Sequence, residues 1–376
     1  MENLKTERLA SLDVLRGFDL FCLVFFQPVF MSLARVMDWA PTNRLASYFE
    51  HVSWEGFVFW DIIMPLFMFM AGASMPFAFA KYQQIQSKRK LYLRILKRVL
   101  LLWLFGMMCQ GKLLALNPDN IFLFSNTLQA IAIGYLISAV LLIHLNQKGQ
   151  IIVTASFLLI YWGLLSFVRI NGFGGGDFSP DYNLAEYIDR VVLGRFRDGS
   201  TVTPSGIDFG NYRYTWILSS LNFAVTVMTG VFAGQILKSG RRNITKIQIL
   251  CIIGVSMIIA GLLWSIQMPI IKKIWTSSMT LYSSGICFLL IALFYYLVDY
   301  HNWGKYLNWL KIYGMNSILA YMLYQIINFK SVTNSLIFGF EQYLGNYYPV
   351  LVKFGNCTII FLILWVMYRN KKFLKV

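Results

Sequence analysis

The chain has 376 residues, of which 57% are hydrophobic and only 13% are charged. With apolar stretches of membrane-spanning length recurring from end to end, this composition excludes a water-soluble globular protein and indicates a polytopic membrane protein. The formal net charge of +16 does not indicate nucleic acid as a partner, because Lys and Arg lie in short connections between apolar stretches and form no basic face.

Apolar periodicity predicts an all-α transmembrane bundle of about ten helices, forming a single domain over residues 1–376. The predicted spans, in chain order, are residues 12–36, 57–80, 95–111, 121–143, 150–168, 214–237, 246–266, 277–298, 312–329 and 350–368. The first span follows a short basic segment, as in a signal peptide. It is too long for one and lacks a small-residue cleavage site, so we expect an uncleaved helix.

Positive charge is densest in the connection after the second predicted span. This connection contains Lys81, Lys88, Arg89, Lys90, Arg94, Lys97 and Arg98. The positive-inside rule places it in the cytoplasm, so the N-terminus is also cytoplasmic and His51 lies outside. The other connections predicted to be inside also carry Lys and Arg, which supports an N-in, C-in orientation.

One long connection, at about residues 169–213, is predicted to lie on the periplasmic side. Three consecutive glycines, Gly174 to Gly176, and Pro180 predict turns, while Leu184–Leu193 has the pattern of a short amphipathic helix. The connection is either a lid that binds a substrate or an inert loop, and the sequence leaves both interpretations open.

Polar side chains inside the spans form two groups at opposite ends of the bundle. Four of them share one face of the first span: Asp13, Arg16, Asp19 and Gln27. The group predicted near the cytoplasm contains Asp13, Arg16, Arg98, Asn316 and Ser317. The group predicted near the outside contains Gln27, His51, Asp61, Asn126 and Gln129. Because buried charges and amides need partners, the two groups suggest a polar passage, although Asp13 and Arg16 could simply neutralise each other.

His51 is one of three histidines and precedes Asp61, an acidic residue inside the second predicted span. With an ordinary pKa of about 6.5, an imidazole can act as general acid and base at neutral pH. The alternative is an interfacial histidine that anchors the helix together with Trp54 and Trp60, and this is the commoner case. No second His or Cys lies at ligand spacing, and the five cysteines have no CxxC or CxxH spacing, so no metal is predicted.

Two motifs carry a resemblance to a known family. The first is Ser11-x-Asp13-x-x-Arg16-Gly17, and the second is His51-x-x-Trp54-x-Gly56-x-x-x-x-Asp61-x-x-x-Pro65-x-Phe67-x-Phe69-x-x-Gly72. Weaker matches follow at Leu128-Gln129, Gly230 to Gly234, Pro269 to Ser277 and Gly314-Met315-Asn316-Ser317. Together these motifs resemble the heparan-alpha-glucosaminide N-acetyltransferase family of membrane-embedded acetyltransferases, which has many bacterial relatives.

The resemblance implies transfer of an acetyl group from cytoplasmic acetyl-CoA across the membrane to an amino sugar or related glycan on the outer face. For a bacterial relative, it implies the inner membrane. The family's active-site histidine matches His51, and its asparagine partner aligns with Gln27, which has a longer side chain. Two family motifs are changed here: Asp-Pro-Glu-Gly is Tyr212-Arg213-Tyr214-Thr215, and Leu-Gln-Arg is Leu128-Gln129-Ala130.

On this hypothesis the cytoplasmic group Asp13, Arg16, Arg98, Asn316 and Ser317 binds acetyl-CoA. His51 removes a proton from the acceptor, Asp61 orients His51, and Gln27 or Asn126 stabilises the developing oxyanion. The residues assigned to the acceptor are Trp54, Asn126, Gln129 and Lys272. An acyl-histidine intermediate is the alternative mechanism.

Two other classes of protein stay open. A secondary transporter or flippase of a small polar or glycan-linked solute would also place charges around a midplane cavity, although the paired interrupted helices of that class are not evident. A scaffold in an envelope complex is the third class. The acceptor, the acyl chain and the presence of a homodimer are left open.

Overall fold

The computed structural model describes residues 9–83, 88–110, 113, 121–210 and 214–374. The helices of the N-terminal half are α1 (Ala10–Phe21), α2 (Gln27–Met37), α3 (Ala40–Ala46), α4 (Ile63–Ala73), α5 (Met75–Gln83), α6 (Lys88–Cys109), α7 (Thr127–His144), α8 (Gln147–Phe167) and α9 (Leu184–Leu193). Those of the C-terminal half are α10 (Ser220–Lys238), α11 (Asn243–Trp264), α12 (Ser277–Tyr295), α13 (Asn308–Met315), α14 (Ser317–Ile326), α15 (Lys330–Ile337), α16 (Glu341–Leu344) and α17 (Tyr348–Arg369).

The predicted all-α polytopic membrane bundle is confirmed. Among the described residues, eight helical stretches are long and apolar enough to cross a membrane. They are α1 with α2, α4 with α5, α7, α8, α10, α11, α12 and the stretch that ends in α17. The other two predicted spans correspond to α6, whose first turns are strongly basic, and to the pair α13 and α14, which is interrupted at Asn316.

The first span contains a π-helical turn, Cys22–Phe26, between α1 and α2. Pro28 lies two residues after the end of this turn and has no N–H to donate to it, which favours an irregular hydrogen-bond pattern there. A π-turn inserts one extra residue and so rotates the following residues by about 100°. The sequence prediction that Gln27 continues the polar face of Arg16 is therefore wrong, because a regular helix was assumed.

Glycines bring pairs of helices into backbone contact. A Cβ on Gly314 of α13 would lie 1.9 Å from the Asp13 carbonyl oxygen of α1, and one on Gly72 of α4 would lie 1.9 Å from the Val227 carbonyl oxygen of α10. Small residues allow such close packing in membranes, where helices associate through van der Waals contact. These two contacts set the distance between α1 and α13 and between α4 and α10, the helices that carry or adjoin the polar residues described below.

The long connection between α8 and α10 forms a small folded cap. It contains the hairpin β1 (Arg169–Ile170) and β2 (Phe173–Gly174), then α9, then the hairpin β3 (Thr201–Thr203) and β4 (Gly206–Asp208). The amphipathic helix predicted at Leu184–Leu193 is confirmed as α9.

Buried charges hold this cap together. Arg197 and Glu186 form an ion pair in which both side chains are fully buried. Asp189, on the same helix as Glu186, accepts backbone hydrogen bonds from Trp216 and Ile217 at 2.7 and 2.9 Å, and burial raises the pKa of its carboxyl to about 7. The cap is thus attached to the segment that leads into α10.

Candidate functional site

Three ionisable side chains from distant parts of the chain meet at one end of the bundle. Asp61 lies in the 3-10 turn Phe59–Ile62 that begins the second span, and its side chain is completely buried. His51 lies in the loop before this turn, and Lys272 lies in the connection between α11 and α12. Lys272, assigned to the acceptor from the sequence, therefore belongs to the same cluster as His51 and Asp61.

The geometry of this cluster is tight. His51 Nδ1 lies 2.7 Å from Asp61 Oδ1. Lys272 Nζ lies 3.1 Å from His51 Nδ1 and donates to Asp61 Oδ1 at 3.3 Å. The second carboxylate oxygen, Asp61 Oδ2, accepts the backbone N–H of Val58 at 3.1 Å. Each oxygen of the buried carboxylate therefore has a donor, as a buried charge requires.

Backbone pairing joins the loop of His51 to the loop of Lys272. Glu55 pairs with Ile271 as an isolated antiparallel bridge, and the Gly56 N–H donates to the Ile270 carbonyl at 2.9 Å. Gly56 has a φ of +113°, a backbone conformation that residues with a side chain rarely adopt. The spacing between His51 and Gly56 within the resembled motif thus allows this loop to fold against the segment of Lys272.

The electrostatics favour a neutral imidazole. The His51 side chain is 43% exposed, and partial desolvation by the surrounding loop lowers its pKa below the ordinary value. The nearby Lys272 charge acts in the same direction, whereas the hydrogen bond to Asp61 opposes it. Burial also lowers the pKa of Lys272, to about 8. With Nδ1 directed at the carboxylate, the second nitrogen, Nε2, has no hydrogen-bond partner within the part of the chain that the structure describes. That nitrogen is available as a base.

Trp54, Gln27 and Tyr214 lie around this cluster. The Trp54 indole N–H donates to the Phe178 carbonyl at 2.9 Å, so the cap contacts the His51 loop directly. Gln27 Nε2 donates to the Phe49 carbonyl at 3.3 Å, two residues before His51. Tyr214 lies close enough to Asp61 for the carboxylate charge to act on it, although Tyr212 and Arg213 lie outside the described residues.

A large cavity lies at the opposite end of the bundle. It has a volume of about 580 Å³, within the usual range for a small-molecule site. Four of the five residues predicted for the cytoplasmic group line it: Asp13, Arg16, Arg98 and Ser317. Leu9 and Leu374 also line it, which places both ends of the described chain on the same side of the bundle, as predicted.

Arginines dominate the polar wall of the cavity. Arg16 lies 3.6 Å from Asp13 and donates to Ser74 and to the Met70 carbonyl across the cavity wall. Arg98 lies over the ring of Tyr135, 4.3 Å from its centroid, and its buried Nε has no hydrogen-bond partner among the described residues. An unpaired donor next to a cavity is suited to bind an anionic ligand.

Asn316 is not among the residues that line this cavity, although its neighbours Met315 and Ser317 are, so the cavity gives no support to its predicted contact with the donor. Its amide accepts the N–H of Leu374 at 2.9 Å and donates to the Lys372 carbonyl at 3.2 Å. The physical reason is the interruption between α13 and α14, which turns Asn316 towards the segment after α17. Asn316 thus holds Leu374 at the mouth of the cavity.

Within the described residues, the cavity covers part of the polar passage predicted from the sequence: its lining extends to Thr127, next to Asn126 of the predicted outer group, but does not include the His51 cluster. None of His51, Asp61 and Gln27 lines the cavity. Along the second span the nearest lining residue is Phe67, six residues or about 9 Å of helix beyond Asp61. The rings of Phe67 and Tyr321 both line the cavity, with their centroids 6.4 Å apart.

The two amides of the outer group on α7 have local structural partners. Asn126 caps the helix by accepting the Leu128 N–H at 2.9 Å, and its side chain also reaches the Tyr321 hydroxyl. Gln129 is fully buried, donates to the Leu123 carbonyl at 2.7 Å and accepts the Ser125 N–H at 2.9 Å. Both ends of the Gln129 amide are occupied, so the structure does not offer it to an acceptor.

Several residues of both sites were not found from the sequence. Arg94, Ser74 and Tyr321 line the cavity, and Tyr214 lies near Asp61. Arg94 precedes Arg98 by one helical turn, so the spacing alone could have identified it. Ser74 follows an apolar helix, and no spacing or motif in the sequence marks it as a cavity residue.

The fold and these two sites define a polytopic membrane protein with a His–Asp–Lys cluster at one end and an arginine-lined cavity at the other. A family profile described as a domain of unknown function, DUF5009, matches residues 8–188. The heparan-alpha-glucosaminide N-acetyltransferase of Homo sapiens is 26% identical over 435 residues, covering 98% of this chain and 60% of the human protein. The enzyme of the same name from Mus musculus is 23% identical over 431 residues, with the same coverage.

These comparisons confirm the resemblance predicted from the sequence motifs. The chain spans about 60% of the length of the two relatives, and the alignment takes in nearly all of this chain. Because only about 2% of this chain is left out, the loop of His51 lies within the aligned part.

Proposed function

We propose that the protein is a membrane-embedded acetyltransferase that moves an acetyl group from acetyl-CoA, bound on the cytoplasmic side, to an amino sugar or related glycan on the outer face. The observation that carries the proposal is the His51–Asp61 pair, with Nδ1 2.7 Å from a fully buried carboxylate. This is the arrangement by which a carboxylate orients an imidazole for proton transfer in acyl-transfer enzymes. The two acetyltransferase relatives support the same chemistry.

The cavity fits the donor. Acetyl-CoA carries several phosphate charges at one end and an acyl thioester at the other. Arg16, Arg94 and Arg98 supply positive charge to the cavity, against one acidic residue, Asp13. The apolar wall formed by Phe67, Met70 and Leu128 suits the uncharged part of the donor. Bound acetyl-CoA would supply the acyl group as a thioester.

His51 would act on the acceptor. Nε2 removes a proton from the attacking amine as its nitrogen bonds to the acyl carbon, and the C–S bond of the thioester breaks. The proton then returns to the departing thiolate, so His51 ends in its starting state. Asp61 holds Nδ1–H and stabilises the transient imidazolium. Gln27, which lies against the backbone before His51, is the proposed amide donor to the oxyanion.

The separation between the two sites adds a requirement. Phe67 is the lining residue of the second span nearest to Asp61, and its ring packs against Tyr321, so movement of these side chains would open a path for the acyl group from the cavity towards His51. The interruption between α13 and α14 lies on the helix pair that carries Tyr321 and is the element best suited to such a movement.

Two measurements on the purified protein test the proposal. Acetyl-CoA should raise the midpoint of thermal unfolding, since a ligand that binds only the folded state stabilises it. Adding glucosamine should then release free CoA thiol and form the acetylated sugar. Absence of stabilisation by acetyl-CoA, or movement of a solute across proteoliposomes without consumption of acetyl-CoA, would contradict the proposal. A burst of CoA without acceptor would favour the acyl-histidine mechanism.

Replacing Arg98 by alanine should weaken binding of acetyl-CoA by about 10- to 100-fold, because a hydrogen bond to a charged group contributes roughly 1.5–3 kcal/mol. The measurement is titration of acetyl-CoA by thermal shift at low and high salt. Arg89→Ala is the matched control, since Arg89 is exposed on the same helix and does not line the cavity. Equal affinity in the Arg98 and Arg89 variants would remove Arg98 from the site.

A further inference from the structure

The cluster around His51 contains one more charged group than a His–Asp pair needs. Lys272 is 4% exposed and lies within 3.3 Å of both partners, although it is separated from them by more than 200 residues of chain. A buried lysine is costly unless it is paired, so its position between the imidazole and the carboxylate needs an explanation.

The numbers of hydrogen-bond donors and acceptors in the cluster restrict what Lys272 can do. An ammonium group only donates, and His51 Nδ1 carries at most one proton. If Nδ1–H donates to Asp61, the ammonium of Lys272 has only one acceptor in the triangle, Asp61 Oδ1. The buried carboxylate is then neutralised by lysine, and the imidazole does not have to be charged. Without the lysine, His51 would be the nearest group able to supply a positive charge.

We propose that Lys272 is a positioning residue that supplies the positive charge for Asp61 at neutral pH and thereby keeps His51 uncharged, with its free nitrogen ready to accept a proton. The inference rests on the proposed function in assigning His51 as the base. It gives Lys272 a role in the protonation state of His51, in place of contact with the acceptor.

Other charged groups near the cluster do not replace Lys272. Lys273 also acts on the charge of His51, but its ammonium donates to the Ser53 carbonyl at 2.7 Å. Tyr214 faces Asp61 from the segment before α10, and burial, aided by the Asp61 charge, raises the pKa of its phenol, so it stays neutral. Glu55 lies in the His51 loop itself and is exposed. Of the lysines, Lys272 is the one that contacts both His51 and Asp61.

The test is a proton titration of His51 by NMR with labelled histidine, which is practical because the chain has three histidines. Replacing Lys272 by methionine should raise the His51 midpoint by about one pH unit or more, since a nearby opposite or like charge moves a pKa by that order. Lys272→Arg keeps the charge and should leave the midpoint within a few tenths. The signals of His144 and His301 report whether each variant is folded, and Lys272→Gln is the replacement if the methionine variant is not.

Two results would overturn the proposal: an unchanged His51 midpoint in the variant without charge, or a wild-type midpoint above the ordinary value of about 6.5. The wild-type measurement needs no variant to fold. Because the titration requires no turnover, it distinguishes failure of this proposal from failure of the proposed function.

Activity gives a second, separate measurement. In Lys272→Met, the acidic limb of the pH–rate profile should move to higher pH by the same amount as the His51 midpoint measured by NMR. The activity of this variant should therefore recover as the pH rises. A purely structural role of Lys272 would lower the rate equally at every pH and would contradict the proposal.

Discussion

Replacing His51 by alanine is expected to abolish acetyl transfer while leaving acetyl-CoA binding within a few-fold of wild type. The expected loss is about 10²–10⁴ in rate, the contribution of a positioned general base. Donor binding should persist because His51 does not line the cavity. The measurements are CoA thiol release with glucosamine as acceptor and thermal shift with acetyl-CoA.

Two further variants complete this test. His144→Ala is the control for loss of a histidine, since His144 contacts Tyr92 on the exposed surface at the other end of α7 from Asn126. Asp61→Asn should also lower the rate strongly, because an amide can present its N–H to Nδ1 and so hold the imidazole in the wrong tautomer. Near wild-type turnover of the His51 variant would remove His51 from the mechanism.

Replacing Gly314 by alanine is expected to destabilise the whole bundle and to abolish donor binding. The added Cβ would lie 1.9 Å from the Asp13 carbonyl oxygen, so α1 and α13 would have to separate. Overpacking of this kind costs about 1–3 kcal/mol, and more when backbone atoms are involved. Because Asp13, Arg16 and Ser317 all belong to this crossing, the cavity should lose its shape with the contact. The measurements are the midpoint of thermal unfolding and the shift produced by acetyl-CoA.

The matched control is Gly163→Ala. Gly163 also lies in a spanning helix, α8, but a Cβ there would meet no atom within 4 Å. Alanine has the higher helix propensity, so this variant should be as stable as wild type or slightly more stable. If both glycine variants unfold at the same temperature, the close crossing of α1 and α13 does not control stability.

The sequence was sufficient for those parts of the fold that depend on local pattern. Long apolar runs bounded by Lys and Arg identified the spans, and apolar residues at helical spacing among charged ones identified α9. The π-turn before Gln27 and the interruption at Asn316 were not predictable in the same way. Each depends on hydrogen bonds within a helix whose apolar composition reads as continuous.

The same distinction, between local pattern and tertiary contact, applies to the residues of the candidate site. His51 and Asp61 are ten residues apart, and a spacing motif could associate them. Lys272 comes to the same point only because Glu55 pairs with Ile271, a tertiary contact with no signal in either segment. The extent of the cavity was not predictable for a related reason: wheel positions indicate which side chains share a face, whereas bulky rings such as Phe67 and Tyr321 decide how much space remains between the helices.

The cavity is lined by residues from both ends of the described chain, Leu9 and Leu374. In the order of translation, the segment around Leu374 emerges more than 350 residues after α1, whose side chains form the facing part of the wall. A chain released directly after α17 would contain the spanning helices described above but would lack the segment that Asn316 holds. On the proposed function, such a shortened chain should bind acetyl-CoA more weakly than one that includes this segment.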